Sequence, residues 1–207
     1  FAQVNINSSG YDDRILRGNG IVRTPPRHYL FAERYRPRKG HWELYGNVNF
    51  GYDGIGDDRK VGWSSNFNPT FYVTDSFSVY ANFYLESTPQ WMVWDHDNLI
   101  GTFKERAAQF DAGINWKISE KQEFRVKLQA LGLDAPLRQA WRFAPDGTPI
   151  PTTDPIGDFS LSTLGFQIRY RRELAPLSDL YIVYGRGGFL FNEFQDSQYS
   201  LLHDAFS

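Results

Sequence analysis

The chain alternates. Over 42–52, Trp42, Leu44, Gly46, Val48, Phe50 and Tyr52 fall on one face, and Glu43, Tyr45, Asn47, Asn49 and Gly51 on the other. In 63–73, Trp63, Phe67, Phe71 and Val73 oppose Ser64, Asn66, Asn68, Thr70 and Tyr72; in 77–86, Phe77, Val79, Ala81, Phe83 and Leu85 oppose Ser78, Tyr80, Asn82, Tyr84 and Glu86. The same period runs through 108–118, 123–130 and 163–171, where Phe110, Ile114, Trp116, Phe124, Val126, Leu128, Phe166, Ile168 and Tyr170 oppose Asp111, Asn115, Lys117, Glu123, Arg125, Lys127, Arg169 and Arg171. A period of two is the signature of a β-strand with unlike faces. Both faces of 180–190 are apolar, and Tyr181, Val183 and Phe189 are read as sharing the apolar side. Weaker strands are expected near 1–8 and 28–36, for about nine in all.

The connections sort by length. Short turns are expected at 36–40, 74–76, 119–121 and 174–178, and long loops at 9–27, 53–62, 87–99, 135–158 and 191–207. Short turns at one end and long loops at the other is the arrangement of outer-membrane barrels. The apolar faces of these segments carry no charge. A Lys or Arg there at mid-bilayer costs roughly 2–4 kcal/mol, which would enforce the segregation. Trp42, Phe71, Phe77, Trp116, Phe124, Tyr170 and Tyr181 lie close to the short turns, where amphipathic rings favour a membrane interface.

Composition narrows the class. With 35 aromatic residues among 207 the chain is aromatic-rich (12 Tyr, 17 Phe, 6 Trp), yet its mean hydropathy is −0.50. No stretch has the apolar length of a membrane helix. The net charge of −2 offers no bulk attraction to nucleic acid. With no cysteine, disulfides, thiolate metal sites and thiol nucleophiles are excluded. The expected fold is therefore all-β: an antiparallel transmembrane β-barrel of outer-membrane type. The whole of 1–207 reads as a single barrel segment. An open strand edge in lipid leaves unsatisfied backbone groups, so the segment is expected to belong to a larger barrel or to be completed by another chain.

The words Trp91-Met92-Val93-Trp94-Asp95-His96-Asp97-Asn98, Gly62-Trp63-Ser64-Ser65, Phe71-Tyr72-Val73-Thr74-Asp75 and 122–131 carry a family likeness. Over about 40–205 the chain resembles the C-terminal barrel of a Gram-negative family of uncharacterised outer-membrane proteins. Members of that family carry an N-terminal domain similar to carbohydrate-binding module family 9. The resemblance implies location and architecture, an outer-membrane barrel lacking that N-terminal domain and its closing strand, and it implies no enzymatic activity.

Candidate chemistry is sparse. Trp91, Trp94, Asp95 and Asp97 could grip a sugar ring between indole faces and carboxylates, or hold a calcium ion. Asp95 and His96 could activate water in a barrel hydrolase. The plainer expectation is an interface anchor and turn. Asp53-Gly54-Ile55-Gly56-Asp57-Asp58-Arg59-Lys60 offers oxygens and lacks the spacing of a calcium loop. His28, His41, His96 and His203 show no metal spacing, and no Gly-x-Ser-x-Gly elbow occurs. No catalytic residue, metal or cofactor is assigned. Glu43, Asp111, Lys117, Glu123, Arg125, Lys127, Arg169 and Arg171 are expected to line a lumen, pairing across strands or bordering a channel. The expected role is an anchor, scaffold or conduit; a glycan-binding surface module and a hydrolase are the alternatives. The expected partners are outer-membrane lipid, lipopolysaccharide, the rest of the barrel and a glycan, and not nucleic acid.

Overall fold

The computed structural model describes residues 1–192, all of them strand, turn or extended chain with no helix. The strands are β1 (Ala2–Asn7), β2 (Gly10–Asp12), β3 (Val22–Thr24), β4 (Arg27–Lys39), β5 (Trp42–Ile55), β6 (Asp58–Tyr72), β7 (Phe77–His96), β8 (Leu99–Ser119), β9 (Gln122–Ala135), β10 (Leu137–Phe143), β11 (Pro149–Thr152), β12 (Phe159–Ala175) and β13 (Ser178–Asn192). They build one antiparallel sheet in the order β1-β4-β5-β6-β7-β8-β9-β12-β13, with β10 and β11 attached to β8 and a separate β2–β3 hairpin. The strands of the main path are those the alternation predicts. Among the described residues the sheet is not closed into a barrel: β1 and β13 are its two edges.

Register decides which side chains share a face, because directly opposed residues point the same way. Trp42 faces Phe71, Phe71 faces Val79, Val79 faces Ile114, and Ile114 faces Val126, which faces Ile168. This apolar face is uncovered. Trp42, Phe50, Trp63, Phe67, Phe83 and Trp116 are each 41–48% exposed, and no second layer of the described chain packs on them. The opposite face is polar and bonded within itself.

β13 corrects one assignment. Tyr181 opposes Arg171, Val183 opposes Arg169 and Phe189 opposes Thr163, so all three share the polar face. The apolar side of β13 is Leu180, Ile182, Tyr184 and Arg186, opposite Arg172, Tyr170, Ile168 and Phe166. With both faces of β13 apolar in sequence, only the hydrogen-bonded register separates them. The apolar face nonetheless carries several charges, the Arg106–Asp134 pair at its far end and a few arginines. Arg34 and Arg36 oppose Gly46 and Leu44, and Arg172 and Arg186 join them.

The turns at one end are short, as expected; Gly40, at φ 65, supplies the left-handed position between β4 and β5. The other end differs from expectation. The stretches 53–62 and 87–99 are not loops. They are continuations of β5–β6 and β7–β8 that close in tight reversals, Ile55 opposite Asp58 and His96 opposite Leu99. Asp97, at φ 43, takes the strained turn position that Asp tolerates. The stretches 9–27 and 135–158 hold β2–β3 and β10–β11. Strand-forming composition continues beyond the regular alternation, and it extends the sheet. Of the loop expected at 191–207, positions 191 and 192 complete β13, and 193–207 with His203 lie outside the described residues.

The buried core sits at this long-strand end. Leu16, Val22, Ile55, Ile100 and Phe143 form it, with Ile15, Met92, Trp94 and Trp141 packed around. Trp94, Ile100 and Trp141 lie in one cross-strand row of β7, β8 and β10, so that row buries its side chains under the 9–27 segment. We call this assembly the cap.

Candidate functional site

The polar face divides into two halves. From β4 to β7 its carboxylates are held by tyrosine hydroxyls. Tyr35 and Tyr72 donate to the two oxygens of Glu43 at 3.0 and 2.8 Å, Tyr45 to Glu33 at 2.8 Å, and Tyr84 to Glu86 at 2.6 Å. Asp111 accepts from Asn82 at 3.0 Å and from Gln109 at 2.7 Å. A charged acceptor with neutral donors keeps its negative charge, so this half is acidic.

Over β8, β9, β12 and β13 the face turns basic. Arg125 pairs with Glu123, and Arg171 with Asp179 at 3.0 Å. Lys117 and Arg171 both stand opposite Glu123. Arg125 stands opposite Arg169, and Lys127 opposite Gln167. The Arg169 guanidinium lies 5.3 Å from the centre of the Tyr181 ring. The eight charged residues expected to share one face do share it, and pairing across strands accounts for part of them.

The residues expected to bind a ligand are drawn into the cap. Trp94 stacks under the Arg17 guanidinium at 4.5 Å and donates its indole N–H to the Asp97 carbonyl at 3.0 Å. Trp91 turns to the other side of β7, against Phe159, which packs on Phe103 and stacks on Phe191. A register slip also falls between Thr88 and Trp91. Gly101 leaves room for the Phe103 ring, since a Cβ there would come within 2.5 Å of it. Asp95 and His96 hydrogen-bond to each other on the exposed arm. Two clefts open here. One of about 480 Å³ is lined by Trp94, Asp95, Phe103, Asp158, Phe159 and Phe191 among others. The other, about 750 Å³, lies between Arg23, Pro25, Asp58, Trp141 and Pro149. The two Trp side chains do not face one ligand together.

Six of the seven aromatics near the short turns, Trp42, Phe71, Phe77, Trp116, Phe124 and Tyr170, share the apolar face. Trp42 packs on Phe71 at 4.8 Å and Phe77 on Trp116 at 6.1 Å, and Phe124 opposes Trp116 and Tyr170. Tyr170 reaches Gln122 through its hydroxyl at 2.8 Å. Tyr181, on the polar face, is not part of this row. At the cap end, Arg106 and Asp134 bond at 2.8 Å across β8–β9 on the side that carries the apolar row below them.

Glu105, next to Arg106 and on the opposite face, is buried and accepts a hydrogen bond from the Thr88 backbone N–H at 3.1 Å. Burial pushes its carboxyl up to about 7, and the charge of Glu86 adds to that, while the Thr88 backbone N–H works against it. Sequence reasoning missed Glu105, Phe103, Phe159 and Trp141. The one usable signal was the alternation of Leu137, Gln139, Trp141 and Phe143, a strand inside a presumed loop. No cluster of His, Asp and Glu able to hold a metal occurs among the described residues.

Comparison with models of known families, with curated proteins and with solved structures finds no match.

Proposed function

We propose that this sheet is part of a transmembrane β-barrel of outer-membrane type, serving as an anchor, scaffold or conduit. The observation that carries the reading is the uncovered apolar face. A row of exposed Trp, Phe and Val running along successive strands is the kind of contiguous apolar surface that marks an interaction or membrane face. In hydrocarbon that row is solvated, and the polar face becomes the lumen. The reading requires neighbours for β1 and β13, since an unpaired edge in lipid costs several kcal/mol per group. Lipid and lipopolysaccharide are its surroundings, and further strands or another chain complete the seam.

The arginines on the apolar face fit their positions. Arg36 and Arg172 lie near the short turns, with Arg34 one alternation deeper, where the penalty falls to roughly 0–1 kcal/mol and long side chains reach the interface. Arg186, mid-strand on β13 opposite Phe166, is the exception, and on this reading its placement costs roughly 2–4 kcal/mol. Membrane fractionation of the full-length chain tests the reading. Recovery with the outer membrane, released only by detergent, is the expected result. A monomer that stays soluble without detergent overturns it.

A second reading has its own observation. The cleft of about 480 Å³ combines Trp94 and three phenylalanine rings with Asp95 and Asp158, a lining suited to a sugar ring. Glycan-array binding lost in Trp94→Ala supports it; binding to no glycan removes it.

A further inference from the structure

We propose that the basic half of the polar face binds a small phosphate-bearing anion at Arg125, Lys127 and Arg169. The inference deepens the conduit reading by naming what the lumen would take, and it rests on the geometry of one face.

Three observations converge. First, Arg125 and Arg169 are directly opposed across β9 and β12. Like charges in that position destabilise a sheet unless something negative lies between them. Glu123 pairs with Arg125, but Arg169 has only the Tyr181 ring, and Lys127 has no ion pair among the described residues. Second, these cations border a recess of about 170 Å³ with Tyr80, Asn115 and Gln167. Hydroxyl and amide groups there are donors for the remaining oxygens of an anion. Third, the surface beside them is bare. Gly165 opposes Gln129 and Gly187, and Gly185 opposes Gln167, opening a further cleft of about 430 Å³ that shares Lys127 and Gln167. A Cβ on Gly165 would meet nothing within 4 Å. Room, donors and unneutralised charge coincide.

Guanidinium pairs grip tetrahedral oxyanions through paired N–H donors, and an ammonium adds a point charge. A multiply charged oxyanion is therefore favoured over chloride. Asp111 is the nearest acid on the β8 side, opposite Gln129. Its hydrogen bonds to Asn82 and Gln109 tie it toward the acidic half.

The test uses the full-length chain in detergent, titrated with inorganic phosphate and with pyrophosphate against sodium chloride of equal ionic strength, followed by calorimetry and thermal melting. Saturable binding of pyrophosphate beyond the chloride control is expected. Arg169→Gln and Lys127→Gln should each weaken it about tenfold or more, while Lys121→Gln, which removes the same charge at a turn, leaves it unchanged. Melting without ligand checks that the variants fold. Binding no stronger than the chloride control overturns the site, as does binding undiminished in the two variants or equally diminished in Lys121→Gln. Fractionation reads the barrel proposal separately, so an inserted chain that ignores pyrophosphate loses this site and keeps its membrane assignment.

Discussion

The two ends of the sheet solve the burial problem differently. In the cap, Leu16, Val22, Ile100 and Phe143 are removed from water by the protein's own second layer. Along β5 to β9, equally greasy side chains are left uncovered by the chain. The cap follows the rule of soluble domains, in which packing density sets stability. On the proposed reading, the sheet below it is covered by a partner phase. The contrast teaches that apolar alternation alone reports a strand and does not report what covers it; only the presence or absence of a second layer does.

The sharpest way to break this contrast is to cut the cap's core. Ile100→Ala, at a fully buried position, should cost about 2–5 kcal/mol. Hydrogen exchange should accelerate across β2–β3 and β10–β11 while β5–β6 stays protected. Uniform loosening of the whole sheet would refute the separateness of the two ends. Next comes Phe83→Arg on the uncovered face. In lipid vesicles it should cost roughly 2–4 kcal/mol. An aqueous surface would tolerate it within about 0.5 kcal/mol, so denaturant titration in vesicles separates the two surroundings.

Glu105 sharpens the comparison through pH. Its folded pKa of about 7 lies above the ordinary value of 4.5, so the folded state favours the neutral acid. The sign follows from proton binding: between those values the folded state holds more protons, and stability falls as pH rises through the window. Thermal stability should therefore fall from pH 4.5 to pH 7, and Glu105→Gln should flatten that slope. An unchanged slope in the variant would assign it to another group. The smallest effect is expected from Arg17→Gln, which removes the cation over Trp94 and should cost about 0.5–1 kcal/mol. Trp fluorescence and melting would register it.

The main strands were legible because one residue in two obeyed a simple rule over long stretches. Trp42 to Tyr52 could be placed on one face from sequence alone, and register agrees with it. Tyr181 could not, because Leu180, Ile182 and Tyr184 made its two possible faces equally apolar. The cap was illegible for a different reason. Trp141 and Phe143 look like loop residues until β10 is seen to lie along β8, a pairing made by contacts distant in sequence. The candidate site was half visible: the charges of β9 and β12 were identified, but the opposition of Arg125 to Arg169 needed the register. Trp91 and Trp94, close together on one short segment, suggested a joint grip, but they lie three apart on a regular stretch of β7, so alternation turns them to opposite sides.

Pairing along the main path joins each strand to its neighbour in the chain except where β2–β3 and β10–β11 intervene. Hairpins of this kind close small loops and form early, whereas contacts across large separations pay more chain entropy first. The cap draws Leu16, Ile55, Ile100 and Phe143 from four separate stretches. Assembly therefore has an order written into it: neighbouring hairpins zip together, and the lid over their far end locks last, once the strands it joins already stand side by side.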